Sequence, residues 1–456
     1  MKKTTRFVKR ESLLIFIVLL ALTLRLIFLS PWLEDWDSIQ FAMALKHFSM
    51  LEQTPHPPGY PVYIFLAKLL NILICNNPAK SLTLLSAFLG TAIAVPFYLL
   101  AKELANKKIA IFVTFLLLLT PIEWNLSEVA LSNIPGEFFA VTAAYLLYKG
   151  IKADKYLFWG SFISGLALGV RFAEFTTVGS LLLFVLILRK SGKLWLKAAF
   201  YALLGVAFWL IPLLTVTGLK NFFDLYQNQI AYILSHDSIS NYPSWSERLK
   251  QIWKLFLVGF GPFFLSLIFT LHFTRIKKDL FGWIWLLSYS LPLVIVYNLE
   301  VTRHLLPLLC PILLLCVSAL NAIKPTKIVL AFGIIILILT GKQSLEQVIK
   351  LKQLTPPIIA PVIFVSNNFD PRETILITSF TYRHFQYYAP EYENHWGVEN
   401  SPKEIKSKYI ITDHISINQN LPILSNYRLI EKKEFTSPDA IFPRVPKTNL
   451  YVFQKT

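Results

Sequence analysis

The feature that most constrains this chain is a succession of long apolar runs separated by short basic loops. Hydrophobic residues make up 55% of the 456 residues and charged residues only 16%, whereas soluble domains carry roughly 25% charged residues. Runs of about 20 apolar residues are long enough to cross a bilayer as helices. The sequence therefore predicts an α-helical, polytopic membrane protein. We expect about eleven spans, at residues 12–29, 81–101, 109–121, 136–149, 156–171, 174–188, 194–216, 251–273, 280–298, 305–322 and 327–340.

Positive charge predicts the orientation of these spans. We place the amino-terminal MKKTTRFVKR in the cytoplasm and interpret 12–29 as a retained first helix of a cell-membrane protein, inner or plasma. If residues 60–75 also crossed, five later basic clusters would all lie outside. These clusters begin at Lys102, Lys149, Arg189, Arg275 and Lys324. We therefore predict that 60–75 forms a juxtamembrane or re-entrant helix at the outer face and that the carboxyl end is extracytoplasmic.

The tail of the chain changes character and predicts a second domain. Residues 1–342 form the predicted membrane domain, with a first outer loop at 30–80, and residues 343–456 form a small extracytoplasmic α/β domain. An amphipathic helix is expected at 343–354. Strand-like runs occur at 374–380, 408–413, 427–435 and 449–454, with helical turns expected near 382–388 and 401–407.

The first outer loop carries an acidic run, Glu34, Asp35 and Asp37, directly before the amphipathic segment DSIQFAMALKHF. Carboxylates are costly near hydrocarbon, so this run is a candidate functional site. A carboxylate at the amino end of a helix also serves as a simple cap. The pattern leaves both interpretations open for Asp35 and Asp37.

Two further outer segments add candidates. The segment HPPGYP stiffens the loop and presents His56 and Tyr60 toward the acidic run, although a turn residue is the plain alternative for His56. In the loop 121–135, Glu123 and Glu128 lie in a Trp- and Leu-rich segment. One carboxylate from each outer loop, such as Glu128, would allow two loops to converge on one pocket. Interfacial solvation is the alternative.

Basic residues at predicted outer helix ends break the positive-inside rule. Arg171 and the pair Arg303–His304 have this position, where an arginine suits a phosphate through its fork of donors. The alternatives are snorkelling to lipid headgroups or pairing with Glu174 or Glu300. Arg25, about one turn inside the first span, is expected to snorkel.

Several function classes have no support in the sequence. It contains no P-loop, no GxGxxG after a strand, no HExxH and no GxSxG. The net charge of +17 is spread over short loops without a basic stripe, which argues against a nucleic-acid partner. The three cysteines form no CxxC pattern, so neither a disulfide framework nor a zinc ribbon is indicated.

The segments DWDSIQFA (35–42) and PHPPGYP (55–61) together resemble the first outer loop of the C superfamily of membrane glycosyltransferases. Within it, the match is to protein O-mannosyltransferases and the aminoarabinose transferase of lipid A. GLALGVRF (165–172) and RHLLPLLCP (303–311) are similar to segments of the same group, and the resemblance covers about residues 1–340.

The resemblance implies a polyprenyl-phosphate-linked sugar donor, an acceptor reached from the outer face, and the first-loop aspartate as base, which Asp37 matches best. Relatives often have Glu after that aspartate, but here Ser38 follows, so a second carboxylate must be Asp35 or Glu34. A divalent metal is left open, with Asp35 and His56 as candidate ligands.

Sugar transfer from a phosphate needs a base for the acceptor hydroxyl and positive charge for the leaving group. Asp37, with Asp35 and Glu128 as further catalytic candidates, would supply the first. Arg303, His304 and Arg171 would supply the second. The acceptor is a protein, a lipid or a glycan. Two alternatives remain: a transporter or flippase of lipid-linked sugar, and a non-catalytic subunit of a glycan assembly complex.

Overall fold

The structure is a computed structural model that describes residues 2–74, 76–236, 244–264, 272–297, 299, 301–323, 327–402, 404–413, 424–436 and 447–456; for residues 2–10, 236 and 328 it describes the backbone only. The membrane part is helical. Its helices are α1 (Lys2–Phe28), α2 (Trp36–Lys46), α3 (Pro61–Leu73), α4 (Pro78–Ala92), α5 (Ala94–Leu104), α6 (Lys107–Leu119), α7 (Pro121–Ser127), α8 (Asn133–Gly150), α9 (Asp154–Val170), α10 (Phe175–Arg189), α11 (Gly192–Thr217), α12 (Leu219–His236), α13 (Trp245–Phe260), α14 (Leu280–Ile295), α15 (Leu306–Ile323) and α16 (Lys327–Gln353).

Among the described residues, six helices are long and apolar enough to cross a membrane, or seven if α6 and α7, which meet at 59°, form one bent span. The prediction of a multi-pass helical membrane protein is confirmed, but the count of eleven spans is not. Several predicted runs form helices that are short for a bilayer. Helix α14 has 16 residues, or about 24 Å at 1.5 Å per residue, against a hydrocarbon core of about 30 Å.

Helix α3 bears on the predicted orientation. It covers the segment predicted not to cross, and its 13 residues span only about 20 Å. Its length agrees with a juxtamembrane helix, while its placement at the outer face stays a prediction. The stretch 217–250, between the predicted spans 194–216 and 251–273, is largely helical in its described part, because α12 fills residues 219–236. Its exposed apolar side chains, which include Phe223 and Ile230, suit a helix at a membrane surface.

Glycines allow two helices of the membrane part to approach each other closely. A methyl group at Gly165 of α9 would lie 2.2 Å from the carbonyl oxygen of Ala202, and one at Gly205 of α11 would lie 2.3 Å from that of Phe162. Small residues allow backbones to touch where lipid tails are as apolar as the side chains. The contact fixes α9, and Arg171 follows directly from its last turn.

The carboxyl-terminal part is an α/β domain, as predicted. It comprises α17 (Ala360–Asn368), β1 (Thr374–Thr378), α18 (Tyr382–Tyr388), β2 (Glu393–Trp396), β3 (Tyr409–Thr412), β4 (Tyr427–Thr436) and β5 (Lys447–Lys455). The sheet order is β2-β1-β3-β5-β4, with β1 parallel to both neighbours and β5 antiparallel to both of its neighbours. One face buries Leu376, Phe385, Ile411 and Val452.

Three details of the tail differ from expectation. Strand β2 was not predicted, and the described residues of 401–407 are not helical. The expected helix at 343–354 is the end of α16, which runs without interruption from Lys327. The boundary between residues 342 and 343 therefore falls inside one helix, and the division into two domains there stays a prediction.

Candidate active site

Helix α2 begins at an acidic pair whose two members have different roles. Asp35 has an extended backbone, and its Oδ1 accepts a hydrogen bond from the Asp37 amide at 3.0 Å. Asp35 is therefore the helix cap. Asp37 lies in the first turn, and the face that follows it is anchored by fully buried Ile39 and Phe41. The capping interpretation applies to Asp35, so capping does not account for the Asp37 carboxylate.

Arg303 forms ion pairs with both aspartates and lies 266 residues after Asp37 in the sequence. It lies in the 3₁₀ turn Thr302–Leu305 that leads into α15. Its Nη1 donates to Asp35 Oδ2 at 2.7 Å and its Nη2 to Asp37 Oδ2 at 2.9 Å. The exposed fractions are 12% for Arg303, 14% for Asp35 and 22% for Asp37. The cluster is thus shielded from water, and Asp37 is its most accessible carboxylate.

Glu34 does not add a third charge to this cluster. Burial raises the pKa of the Glu34 carboxyl to about 8, and the neighbouring Asp35 carboxylate adds to the shift. Desolvation disfavours the ionised form of a carboxyl group. The neutral form of Glu34 is therefore favoured at pH 7.

The HPPGYP segment packs on the same helix. His56 Nδ1 lies 2.7 Å from Gln40 Oε1 and 3.8 Å from Asp37 Oδ1, and its Nε2 lies 2.9 Å from the Tyr60 hydroxyl. Gln40 Nε2 donates to Gln53 Oε1 at 3.4 Å, which turns the Gln40 oxygen toward His56. Because that oxygen only accepts, His56 Nδ1 is the donor in this hydrogen bond.

Tyr60 connects this cluster to Arg171. Burial raises the pKa of the Tyr60 phenol, Asp37 adds to the shift, and Arg171 and Arg303 oppose it. Both arginines therefore act on the same hydroxyl, which stays neutral and able to donate. Arg171 itself has Glu174 as a neighbour, with Nη1 and Oε1 3.7 Å apart. This is the pairing given as the alternative to phosphate binding.

Around Arg171 the structure adds a residue that sequence reasoning missed. Glu137 of α8 is 1% exposed and lies close to Arg171 and Glu174. Gln40, the partner of His56, was also missed. In the sequence, Gln40 stands between two apolar residues of an amphipathic helix. This position predicts a buried side-chain amide, which needs a hydrogen-bond partner.

Glu128 and His304 lie outside the Arg303–aspartate cluster. Glu128 is fully buried, and its Oε1 accepts from Trp124 Nε1 at 2.9 Å, beside the ion pair of Arg25 with Glu123. The ring of His304 packs on Tyr297, with centroids 5.0 Å apart. The structure thus brings together Asp35, Asp37, Arg303, His56 and Tyr60, with Arg171 close by.

The expectation that Arg25 snorkels is wrong. Its side chain is 1% exposed, pairs with Glu123 and donates to Thr91 Oγ1 at 3.1 Å. A buried arginine persists when a carboxylate and further acceptors satisfy it. Arg25 therefore ties α1 to α4 and α7 inside the helix bundle.

Comparison with known proteins shows which folds this chain resembles. A family model described as dolichyl-phosphate-mannose-protein mannosyltransferase matches residues 55–217. The structure of ArnT from Cupriavidus metallidurans bound to undecaprenyl phosphate superposes with a TM-score of 0.65 at 11% identity, over 97% of this chain and 98% of that chain. This chain has the C-superfamily glycosyltransferase fold. The C-superfamily fold expected from the two first-loop motifs is confirmed.

Solved structures of an archaeal oligosaccharyltransferase show the same fold. The Archaeoglobus fulgidus oligosaccharyltransferase AglB, in complex with an inhibitory peptide and a dolichol-phosphate, has a TM-score of 0.51 at 13% identity, over 89% of this chain and 70% of that chain. The same archaeal enzyme with Zn and sulfate gives 0.51 at 14% identity, over 87% and 68%. A comparison with curated proteins found no match.

Zinc in one C-superfamily structure raises the question of a metal here. In the described part of the chain, no group of three or more His, Cys, Asp or Glu side chains is arranged to hold a metal ion. Of the two candidate ligands, Asp35 directs its oxygens to the Asp37 amide and Arg303, and His56 directs its nitrogens to Gln40 and Tyr60. Asp35 and His56, as the structure places them, therefore do not fit a divalent ion.

Proposed function

We propose that this protein transfers a sugar from a polyprenyl-phosphate-linked donor to an acceptor hydroxyl at the outer face of the cell membrane. The observation that carries the proposal is the cluster of Arg303 with Asp35 and Asp37 at the start of a membrane-edge helix. The fold supports it, since ArnT and AglB were solved with undecaprenyl phosphate and dolichol-phosphate. A lipid donor also accounts for a site at the membrane edge.

Asp37 is the proposed base. A base must be within reach of the acceptor hydroxyl and able to take its proton. One carboxylate oxygen of Asp35 caps the helix, and the other accepts a hydrogen bond from Arg303. Asp37 does not cap the helix and is the more exposed of the two. In this proposal Asp35 holds the start of α2 in place, and Asp37 accepts the proton.

Arg303 is the proposed partner of the donor phosphate, with Arg171 and His304 as further candidates. A guanidinium binds phosphate oxygens through two parallel donors. Without donor, those donors of Arg303 hold Asp35 and Asp37. In our mechanism the phosphate takes the place of Asp37 on Arg303. Asp37, released from Arg303, is then available to take the proton of the acceptor hydroxyl.

The reaction is proposed to invert the configuration at the sugar. The acceptor oxygen attacks the anomeric carbon as its proton passes to Asp37, and the bond from that carbon to the phosphate oxygen breaks, which leaves polyprenyl phosphate. A single base without a covalent intermediate gives inversion. His56 and Tyr60 border Asp37 and would contact the substrates there. The acceptor is a protein, a lipid or a glycan.

Comparison of a strain that lacks the gene with its parent tests this function. Mass spectrometry of extracted glycolipids and glycoproteins should show one glycosylated species lost and its unglycosylated form accumulated. Complementation with the wild-type gene should restore it, and complementation with Asp37→Asn should not. Unchanged profiles in the deletion strain, under conditions where the protein is produced, would contradict the proposal.

A further inference from the structure

Helix α18 of the carboxyl-terminal part lies against the first outer loop through three side chains. The Tyr388 hydroxyl accepts from the Leu33 amide at 2.7 Å, and His384 Nε2 donates to the Glu34 carbonyl at 2.8 Å. Arg383 Nη2 donates to the carbonyl of Glu52 at 2.8 Å. All three bonds go to loop backbone, so the contact fixes the path of the chain rather than any one loop side chain.

The backbone groups that α18 binds flank the proposed site. Leu33 and Glu34 directly precede Asp35, the cap of α2, and they belong to neither α1 nor α2. Glu52 precedes the segment that carries His56. Shielded backbone groups need hydrogen-bond partners, and irregular chain cannot supply them from a ladder of its own. Here α18 supplies them at Leu33 and Glu34, before α2, and it also donates to the more exposed Glu52 carbonyl after α2.

The contact persists at physiological pH because of the state of His384. The side chain is fully buried, and burial lowers the pKa of the imidazole to about 4. The ring is therefore neutral at pH 7. Since the Glu34 carbonyl only accepts, the proton of the ring is on Nε2. His384 is thus a fixed donor to the loop and takes no part in titration near neutral pH.

Helix α18 is itself held firmly by the sheet. Asp413, at the end of β3, accepts hydrogen bonds from the Ser379 amide at 2.8 Å, the Thr381 amide at 2.6 Å and the Thr381 hydroxyl at 2.7 Å. Phe385 is fully buried in the core of the sheet. A continuous set of contacts therefore runs from the sheet through α18 to the residues that precede Asp35.

We infer that α18 is a positioning element, which sets the backbone at Leu33 and Glu34 and so holds Asp35 and Asp37 opposite Arg303. The inference rests on the proposed function and gives the carboxyl-terminal part a role in the transfer step. Displacement of a reacting group by about 1 Å costs up to 10²-fold in rate. His384 and Tyr388 are accordingly positioning residues, which act on the chemistry only through the loop.

The test compares Tyr388→Phe with Tyr387→Phe in the purified full-length protein in lipid nanodiscs. Tyr388→Phe removes one hydroxyl and keeps the ring that packs on Trp32. We expect kcat to fall on the order of tenfold, within the range for one lost hydrogen bond, with donor KM unchanged and Tm lowered by a few degrees at most. In Tyr387, whose ring faces the Lys46 ammonium at 5.9 Å, the same change should leave kcat within about twofold. Equal kcat in both variants, or a parallel loss of kcat, donor binding and Tm in Tyr388→Phe, would overturn the inference.

Hydrogen exchange tests the positioning without reference to catalysis. Peptides that cover residues 30–46 should exchange faster in Tyr388→Phe than in wild type, while those of β1 and β3 should not change. If wild type shows no transfer but this difference appears, the proposed function fails and the structural coupling stands. If the exchange of 30–46 is the same in both proteins, the inference is wrong whatever the activity.

Discussion

Substitution of Asp37 by Asn separates the proposed base from the helix cap. The side chain keeps its size, and the cap of α2 stays intact because it is Asp35 that accepts from the Asp37 amide. Arg303 loses one charge-assisted bond, at 2.9 Å, and keeps the other, at 2.7 Å to Asp35. Such a bond contributes about 1.5–3 kcal/mol. We therefore expect the variant to be less stable than wild type but still folded.

The catalytic effect of Asp37→Asn should be larger than its effect on folding. Removal of a general base costs typically about 10²–10⁴-fold in rate, so we expect kcat to fall by at least about 10²-fold. Asp35→Asn is the matched control. Asparagine caps helices about as well as aspartate, and Arg303 keeps Asp37, so this variant should lose less than about tenfold.

The assay is turnover of a lipid-linked sugar donor at saturating donor by protein in nanodiscs, with gel filtration and Tm to confirm folding. If Asp35→Asn stops transfer and Asp37→Asn does not, the base is Asp35. If neither substitution matters, the first loop is not the catalytic loop, and our interpretation of the Arg303 cluster is wrong.

Three further predictions follow from the same structure. Arg303→Lys should raise donor KM on the order of tenfold with little change in Tm, since lysine lacks the paired donors; normal transfer at low donor concentration would remove Arg303 from the phosphate site. Lys80→Cys, in a Cys75→Ala background, should react with a membrane-impermeant thiol reagent from outside the cell; reaction only after permeabilisation would reverse the predicted orientation. Glu34 holds its proton to about pH 8 when folded, against an ordinary value of 4.5, so its contribution to stability is lost as pH rises between those values. The Tm advantage of Glu34→Gln over wild type should therefore grow from pH 5 to pH 8.5, and parallel Tm curves would contradict the assignment.

The three charged residues of the Arg303–aspartate cluster were predictable one by one, but their pairing was not. Asp35 and Asp37 stand out as carboxylates at a membrane edge, and Arg303 as a cation on the side where insertion does not favour it. Their contact joins segments 266 residues apart. Only the packing of helices that are distant in sequence brings them together, and a single sequence carries no record of that packing.

For Arg25, the missing information on helix packing led to a wrong prediction. Near the end of a span, snorkelling is the default for an arginine. Burial requires a partner, and the partner is Glu123 on another helix. The sequence offered Glu123 as an outer-loop carboxylate, and nothing local linked the two. The pair makes sense only after α1 and α7 are placed side by side.

In the carboxyl-terminal domain, the strands with the stronger local sequence pattern are the ones that were predicted. The expected strands near β1, β3, β4 and β5 are rich in β-branched and aromatic residues. The strand that was not predicted, β2, has the sequence ENHW. It lies at the edge of the sheet, where β1 is its neighbouring strand. The count of eleven spans is not confirmed for a related reason, since apolar composition marks a buried helix and a crossing helix alike.

The most direct test of the central claim is donor turnover by the purified protein. Proteoliposomes with a synthetic polyprenyl-phosphate-linked sugar and a cell-envelope extract as acceptor should release polyprenyl phosphate and form a glycosylated product of inverted anomeric configuration, in wild type but not in Asp37→Asn. Movement of intact donor across the bilayer without release of polyprenyl phosphate would contradict the account, and so would release that proceeds equally in Asp37→Asn.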